Sequence, residues 1–280
     1  MGAELRLEGL SLKCGPLGES DRLLTLLSAS DGLSRLAVPG ARKPKSPLAA
    51  AVPLALLRLQ VGGGSGLRRV RQLTVVRNYA ALAGRLETLA AAQGLAELTI
   101  QLVPTGEGVP GLLEDLLMQL GRLELVVQNH QDSLEALAIA VQGCVHLLAL
   151  GGYGLPLAHC ARSGEPLEPP VGTWDWRCSL LPSEGFVVGA VPGAQLVLNA
   201  SELALLQRLP RPALPRRRDG GLMGPEPVWL RLLALIELWS REHLGRNLRS
   251  WSLLRQCFNA DTPLGADAAA SSEARLRGTP

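Results

Sequence analysis

Cations crowd into one short stretch of the sequence, GLSRLAVPGARKPKSPLAA, which spans residues 32–50. Eleven successive positions hold Arg35, Arg42, Lys43 and Lys45, and the glycine and prolines among them predict a loop. Fixed cations on a loop can neutralise successive phosphates and release counterions, which is the main sequence-independent contribution to nucleic-acid binding. The stretch therefore predicts contacts with a phosphate backbone, and an ordinary solvated surface is the alternative.

A second group of cations follows in LRRVRQL at 67–73, which holds Arg68, Arg69 and Arg71. On a β-strand Arg69 and Arg71 share one face and Arg68 lies on the other. Residues 1–78 contain no Phe, Tyr or Trp, the rings on which single-strand binders stack bases at about 1–3 kcal/mol per base. Binding through these cations is therefore expected to be modest, salt-sensitive and blind to sequence.

Five short strands separated by turn signals must position these cations. They are ELRLEGLSLKC, DRLLTLLSAS, GLSRLAVPG, PLALLRLQV and LRRVRQLTVV. Asp31-Gly32 suits a tight hairpin turn, and the glycines of GGGSG at 62–66 leave the backbone free to reverse in a second hairpin loop. GGGSG lacks the Lys-Ser/Thr ending of a phosphate loop, so we expect no nucleotide binding there. Five strands without a long intervening helix predict an OB-fold barrel over residues 1–80.

Helical periodicity replaces the strands after Asn78 and predicts a helical domain over residues 81–256. Gly94 is the expected C′ residue of the first helix, and Pro110 lies near the start of the second. His146 falls on the apolar face of the third helix. We expect it to be a buried, hydrogen-bonded core residue rather than a metal ligand.

The remaining segments alternate between helix and irregular chain. A fourth helix begins at NASELALLQRL with Asn199 or Ser201 as its N-cap. The prolines at 210–227 predict a loop, and the apolar segment after it predicts a helix that breaks near Gly245. Residues 257–280 have little to bury and are expected to be disordered.

Length and composition narrow the class of protein. The chain has 280 residues, of which 47% are hydrophobic but only 3% aromatic, so its cores must be built from Leu, Ala and Val. No run approaches the about 20 apolar residues of a membrane span, and the start lacks the pattern of a signal peptide. Five scattered cysteines argue against a disulfide framework and for reduced thiols. These features predict a soluble cytoplasmic protein.

Charge is distributed unevenly although the net charge is only +3. Residues 1–80 hold 12 Lys/Arg against 5 Asp/Glu, and the rest of the chain holds 16 against 20. Such asymmetry says more about partners than the total does, and it favours an anionic partner for the N-terminal part.

The sequence carries no recognisable catalytic motif. The sequence has no G-x-S-x-G, no H-E-x-x-H, no P-loop and no carboxylate-rich metal cluster. Its four histidines do not stand at a catalytic spacing. We expect a protein that is not an enzyme and needs no cofactor.

The order of these pieces resembles the RecO family of bacterial recombination mediators. Residues 7–61 contain versions of its E-G-x-V-L strand, its G-E-x-D-R-L turn and its G-A-R-x-x-K-S loop. ELTIQLVPTGEGVPGLLEDLLMQLGRLE and REHLGRNLRSWSLL resemble the first helical region and the closing helix of the family. The likeness covers about residues 4–256 and is most specific in the N-terminal motifs.

The resemblance implies an α+β protein: an N-terminal OB-fold barrel followed by a helical domain, with a zinc module inserted between helices at 151–195. It also implies binding to single- and double-stranded DNA, annealing of complementary strands, and cooperation with RecR and single-strand binding protein to load RecA. Carried onto this chain, it makes Arg35, Arg42, Lys43 and Lys45 DNA contacts. Arg22, in the matching D-R-L motif, is either a further contact or a strand residue that braces the barrel.

The zinc module of the family is incomplete in this sequence. In its full form it has C-x-x-C, a spacer and a second C-x-x-C, but here only Cys160 remains, with Ser163, Gly189 and Pro192 at the other positions. Cys178 lies in the spacer, out of register. Structural zinc requires four ligands, mostly thiolates. We therefore expect no zinc here, and the segment is a degenerate zinc-finger-like insertion.

Two tryptophans lie near this gap. Trp174 and Trp176 are two residues apart, so they share one face if the chain is extended. Burial of both indoles would offset the lost coordination, and we favour that interpretation over an exposed partner-binding patch.

These observations predict a DNA-binding recombination mediator. Arg69 and Arg71 join the loop cations as DNA contacts, and Arg241, Arg246 and Arg249 form a basic strip in the helical domain that would dock an acidic partner. The alternative is a structural adaptor whose barrel binds protein rather than DNA. Steep salt dependence of DNA binding would distinguish the two.

Overall fold

The computed structural model describes residues 5–62 and 66–259. Its N-terminal part is a closed five-stranded barrel with strand order β1-β2-β3-β5-β4. The strands are β1 (Leu5–Leu17), β2 (Asp21–Ser28), β3 (Gly32–Val38), β4 (Ala55–Gly62) and β5 (Arg68–Asn78). All five strands expected from the sequence are present, and the OB-fold prediction is confirmed.

Alternating aliphatic side chains build the core of the barrel. Leu24 and Leu26 on β2 and Leu57 and Leu59 on β4 are fully buried, as the period-two pattern requires. Gly32 has φ +58° where β2 turns into β3, which explains the glycine in this hairpin. Most of the loop between β4 and β5 lies outside the described residues.

The β2–β3 turn also joins the barrel to the helical domain. The Leu33 N–H donates to the Pro104 carbonyl at 3.2 Å, and the Gly108 N–H donates to the Ser30 carbonyl at 3.2 Å. A Cβ atom on Gly108 would lie 1.9 Å from the Ala29 carbonyl oxygen, so the two backbones approach each other more closely than a side chain permits. These contacts fix the barrel against the helices.

In the part of the chain that the structure describes, six α-helices follow a short 3₁₀ helix, Ala80–Gly84. They are α1 (Leu86–Leu102), α2 (Leu112–Gln128), α3 (Ser133–Leu150), α4 (Ala200–Leu206), α5 (Glu226–Leu244) and α6 (Arg249–Asn259). Asn199 caps α4 in a reciprocal pair with Glu202, and Gly245 ends α5 with φ +71°, both as the sequence indicates. Residues 257–259 belong to α6 rather than to a tail; the disorder expected for the remainder lies outside the described residues.

Gly94 does not end the first helix, and that prediction is wrong. The glycine lies inside α1, where a Cβ atom would be 2.6 Å from Cδ1 and Nε1 of Trp251 on α6. A close approach between two helices explains this glycine, rather than a helix terminus.

Helix α3 is long and apolar enough to cross a membrane by length and composition alone. It is nevertheless the central helix of the bundle, with 67% of its window buried, and it packs against α1, α2 and α5. Its apolar character therefore matches a core position.

His146 of α3 belongs to a buried polar network, as expected. Its Nδ1 lies 3.2 Å from Asp115 Oδ1 and its Nε2 lies 2.9 Å from the Leu209 carbonyl oxygen. Gln142, one helical turn earlier, donates to three carbonyls of the following loop, those of Leu209, Arg211 and Ala213. The network holds the loop at 207–225 against α3.

The insertion between α3 and α4 contains a three-stranded antiparallel sheet where the sequence indicated irregular chain. Its strands are β6 (Arg177–Leu181), β7 (Gly185–Val188) and β8 (Leu196–Asn199), in the order β7-β6-β8. Trp176 is partly buried against the core, but Trp174 is 91% exposed. The expectation that both indoles are buried is wrong, because the chain turns before β6 begins and Arg177 donates to the carbonyls of both tryptophans.

Candidate nucleic-acid interface

The loop after β3 is tied to the barrel by backbone and side-chain hydrogen bonds. Asp21, at the start of β2, accepts a hydrogen bond from the Gly40 N–H at 2.8 Å. The Arg42 N–H donates to the Ser20 carbonyl at 2.9 Å. These bonds join the beginning of the loop to the β1–β2 turn and leave its side chains free to face solvent.

Arg22 braces the far end of the same loop. Its Nη1 donates to the carbonyls of Ala49 and Ala51 at 3.0 and 2.8 Å. This geometry corresponds to the bracing role that the sequence left open, because the guanidinium is engaged with the protein backbone. Arg22 therefore positions the loop cations.

The loop cations themselves are exposed. Arg42, Lys43 and Lys45 all lie at the surface, and Lys45 adopts φ +59°, a left-handed conformation uncommon for residues other than glycine. The Arg42 guanidinium also donates to the Gly18 carbonyl at 3.1 Å. That bond restrains the Arg42 side chain while its remaining N–H groups stay available.

Neighbouring strands place further cations beside this loop. β3 pairs with β5 in parallel through Ala37 and Arg69, so the loop leaves the barrel on the side where β5 carries Arg69 and Arg71. Arg35 on β3 is exposed. The Arg71 guanidinium lies over Gly62 of β4, where a Cβ atom would come within 2.4 Å of its Nε.

We call this surface the basic face: Arg35, Arg42, Lys43, Lys45, Arg69 and Arg71. Within residues 5–62 and 66–259 none of these six forms an ion pair. Arg58 on β4, by contrast, is paired with Glu8 on β1 at 2.8 Å. The unpaired cations of the barrel are thus concentrated along β3, β5 and the loop.

Asp21 is the acidic residue within reach of this surface. Hydrogen bonds from the Gly40 N–H and the Ser20 hydroxyl lower the pKa of its carboxyl, and the charges of Arg69 and Lys43 act in the same direction. The ionised carboxylate holds the loop in place. The place of Asp21 beside Arg22 in the D-R-L motif was the signal for this role in the sequence.

Stacking platforms are absent from the described part of the barrel, where no Phe, Tyr or Trp lies between residues 5 and 78. Tyr79, which directly follows β5, is 2% exposed and cannot stack on a base. The chemistry that the basic face offers is therefore charge neutralisation and guanidinium hydrogen bonding.

The three helical-domain arginines lie around the turn between α5 and α6. Arg241, Arg246 and Arg249 are all exposed, and Arg241 donates to the Gln195 side chain at 3.1 Å. Leu248, between Arg246 and Arg249 in the chain, is buried in the core. The structure thus places three cations at one turn, separate from the barrel strands that carry the basic face.

The residues at the former zinc positions do not fit a zinc ion. Of the four positions only Cys160 carries a thiol, whereas Ser163 offers a hydroxyl and Gly189 and Pro192 offer no side-chain donor. In the described ranges, no group of three or more His, Cys, Asp or Glu side chains is placed to hold a metal. The insertion is instead organised by its own sheet.

Known proteins resemble the chain over both of its parts. Residues 1–79 match the family model described as recombination protein O N terminal, and residues 83–252 match recombination protein O C terminal. A DNA repair protein RecO of Prochlorococcus marinus (strain MIT 9303) is 63% identical over 92% of this chain and 97% of its own. One from Synechococcus sp. (strain WH7803) is 61% identical over 93% and 97%, and one from Synechococcus elongatus is 34% identical over 87% and 91%.

Proposed function

Because the chain belongs to the RecO family of DNA repair proteins, we propose that its basic face binds the phosphate backbone of single- and double-stranded DNA. A role in DNA repair and recombination follows from membership of the family. The observation that carries the specific proposal is that the six cations of the basic face, along β3, β5 and the loop between β3 and β4, are all exposed and form no ion pair within the described residues.

The type of contact follows from the chemistry of the basic face. Lys and Arg side chains that neutralise phosphates release condensed counterions, and this gain is independent of base sequence. The Arg42 guanidinium is restrained by its hydrogen bond to the Gly18 carbonyl, which lowers the entropy lost when it binds. We expect non-specific binding that weakens steeply with salt.

The same face supports a proposal of strand annealing. Complementary strands repel each other through their phosphates, and cations reduce that repulsion. Because the described part of the barrel has no aromatic platforms, the bases of a bound strand do not stack on its side chains and remain free to pair with a second strand. We therefore propose that the protein brings two strands together through their backbones and leaves pairing to the bases.

The exposed arginines of the helical domain offer a surface for a partner protein. We propose that the strip of Arg241, Arg246 and Arg249 docks an acidic segment of single-strand binding protein, since exposed cations attract such segments and set association rates. With RecR, the protein would then assist the loading of RecA on DNA in the cytoplasm. We propose that it acts by binding alone, without a catalytic step or cofactor.

Two charge-reversal variants, one in the barrel loop and one in the helical domain, are compared to test the two binding surfaces separately. Arg42→Glu/Lys43→Glu/Lys45→Glu alters the loop, and Arg241→Glu/Arg246→Glu/Arg249→Glu makes the same change in charge on the helical domain. We expect the loop variant to lose DNA binding and to keep its binding to single-strand binding protein. We expect the helical-domain variant to keep DNA binding and to lose its binding to single-strand binding protein. Both are measured by fluorescence anisotropy with a labelled oligonucleotide and a labelled acidic tail peptide.

Equal loss of DNA binding in both variants would show that net charge, rather than the basic face, governs affinity. Unchanged DNA binding in the loop variant would refute the proposal. In that case the barrel is better described as a protein-binding adaptor.

A further inference from the structure

Two cysteines of the insertion lie beside strand β7. Cys160 begins a tight turn in which its carbonyl accepts a hydrogen bond from the Gly164 N–H at 2.9 Å. The next residue, Ala161, donates its N–H to the Phe186 carbonyl on β7 at 2.7 Å. The turn that carries Cys160 therefore lies directly along β7.

Cys178 approaches the same place from β6. β6 pairs with β7 through Ser179 and Val187, and Cys178 forms an isolated bridge with Gly189. The register of β6 and β7 continues to place Val188 opposite Cys178. The Val188 N–H also donates a hydrogen bond to the Cys160 thiol, so both cysteines lie next to Val188. The residues are 4% and 0% exposed and belong to one hydrophobic cluster.

The two thiols differ in reactivity. Hydrogen bonds from the Ser163 hydroxyl and from backbone N–H groups, including that of Val188, lower the pKa of the Cys160 thiol to about 7. Burial raises the pKa of the Cys178 thiol to about 12, and the charge of the neighbouring Cys160 adds to the rise. The other three cysteines of the chain have pKa values raised by burial. Cys160 thus combines thiolate character with a second thiol close by.

We propose that Cys160 and Cys178 are a redox-active dithiol, which closes into a disulfide and ties the insertion together where the family uses zinc. The oxidant is hydrogen peroxide. The Cys160 thiolate attacks one peroxide oxygen and the O–O bond breaks, so that Cys160 becomes a sulfenic acid and hydroxide is released. The Cys178 sulfur then attacks the Cys160 sulfur, and its proton leaves with the displaced hydroxide as water.

The structure offers a reason for this order of events. Exposed residues surround Cys160 in the turn, namely His159, Ala161, Arg162 and Ser163. A small peroxide therefore has to pass only these surface residues to reach the Cys160 sulfur. Cys178 is sealed inside the sheet and stays protonated until it meets the sulfenic acid. One thiol is placed to react first and the other to resolve it.

Peptide mapping of the full chain tests the proposal directly. The reduced protein is treated with hydrogen peroxide, alkylated under denaturing conditions and digested without reductant. We expect one cross-linked peptide pair, containing Cys160 and Cys178 and lighter by two hydrogen atoms than the two free peptides. We also expect the thermal midpoint to rise by about 5 °C, because closing a loop of this length restricts the unfolded chain.

Matched variants separate this pair from the other thiols. Cys257→Ser is expected to keep both the cross-link and the rise in the midpoint, because Cys257 lies on α6. Cys178→Ser is expected to lose both and to leave Cys160 over-oxidised. If the peroxide-treated parent protein shows both cysteines alkylated, or links either of them to a different cysteine, the proposal is wrong. Mapping of the parent protein is decisive even if a variant does not fold.

Discussion

The number of cations on the basic face sets how steeply DNA binding should fall with salt. Six of them lie exposed and unpaired in the described part of the barrel. At about 0.7 ions released per neutralised phosphate of a single strand, the plot of log K against log salt should have a slope of about −4. The variant Arg42→Gln/Lys43→Gln/Lys45→Gln removes half of the contacts and should reduce the slope to about −2.

These slopes correspond to large differences in affinity. A fourfold rise in salt should weaken binding by the parent protein about 300-fold and by the variant about 20-fold. Fluorescence anisotropy with a labelled oligothymidine, titrated at four or more salt concentrations, measures both slopes. Oligoadenine should give the same values, since the barrel reads no base edges.

Arg58→Gln supplies the matched control for this experiment. Arg58 is exposed on the same barrel, but its charge is already paired with Glu8, so its removal should leave the slope of the parent protein unchanged. If the triple variant keeps the slope of the parent protein, or if Arg58→Gln lowers it as much per charge as the loop substitutions do, the assignment of the basic face is refuted.

Three further predictions concern the framework that holds the site. Gly94→Ala should lower the free energy of unfolding by about 1 kcal/mol in urea titration, because the new methyl group meets Trp251 at 2.6 Å and overpacking outweighs the gain in helix propensity; unchanged stability would contradict the close contact. Asn199→Ala should cost about 1 kcal/mol, measured the same way, by removing the α4 cap, and Asn199→Asp should restore most of it. His146 should stabilise the fold at low pH. Burial opposes the charge on its imidazole, but the hydrogen bond and the charge of Asp115 raise its pKa in the folded protein. The stabilisation is therefore present below the pKa of His146 in the unfolded chain and is lost as the pH rises through its pKa in the folded protein. Urea unfolding at about pH 6 and about pH 8 should show that loss in the parent protein and less of it in His146→Gln; equal pH dependence would contradict it.

The barrel could be predicted from the sequence because its determinants are local. Turn signals separate the strands, β4 alternates buried side chains with more exposed ones, and the Asp31-Gly32 turn has a backbone requirement that the residue types reveal. Gly94 was misread for the opposite reason. Its purpose is a contact with Trp251, more than 150 positions later in the chain, and no local pattern distinguishes that from a helix terminus.

The insertion was harder to predict, since strands of four or five residues carry too short an alternation to recognise. Trp174 and Trp176 would share a face only if the chain were extended, and it turns just before β6. Sequence spacing alone does not reveal that turn.

The candidate site was predicted in its residue types but not in its pairing. Arg22 and Arg58 look equivalent to the loop cations in the sequence, yet one is bound to backbone carbonyls and the other to Glu8. That distinction depends on which strands lie side by side and in which register. It removes Arg22 and Arg58 from the cations that are available to an anionic partner.

The measurement that tests the central claim most directly is annealing of complementary oligonucleotides, followed by fluorescence quenching at low salt. The parent protein is compared with Arg42→Glu/Lys43→Glu/Lys45→Glu, and zinc content is determined on the same samples. We expect the parent protein to accelerate annealing without bound zinc and the variant not to accelerate it. No acceleration by the parent protein with DNA in excess, or full acceleration by the variant, would contradict it.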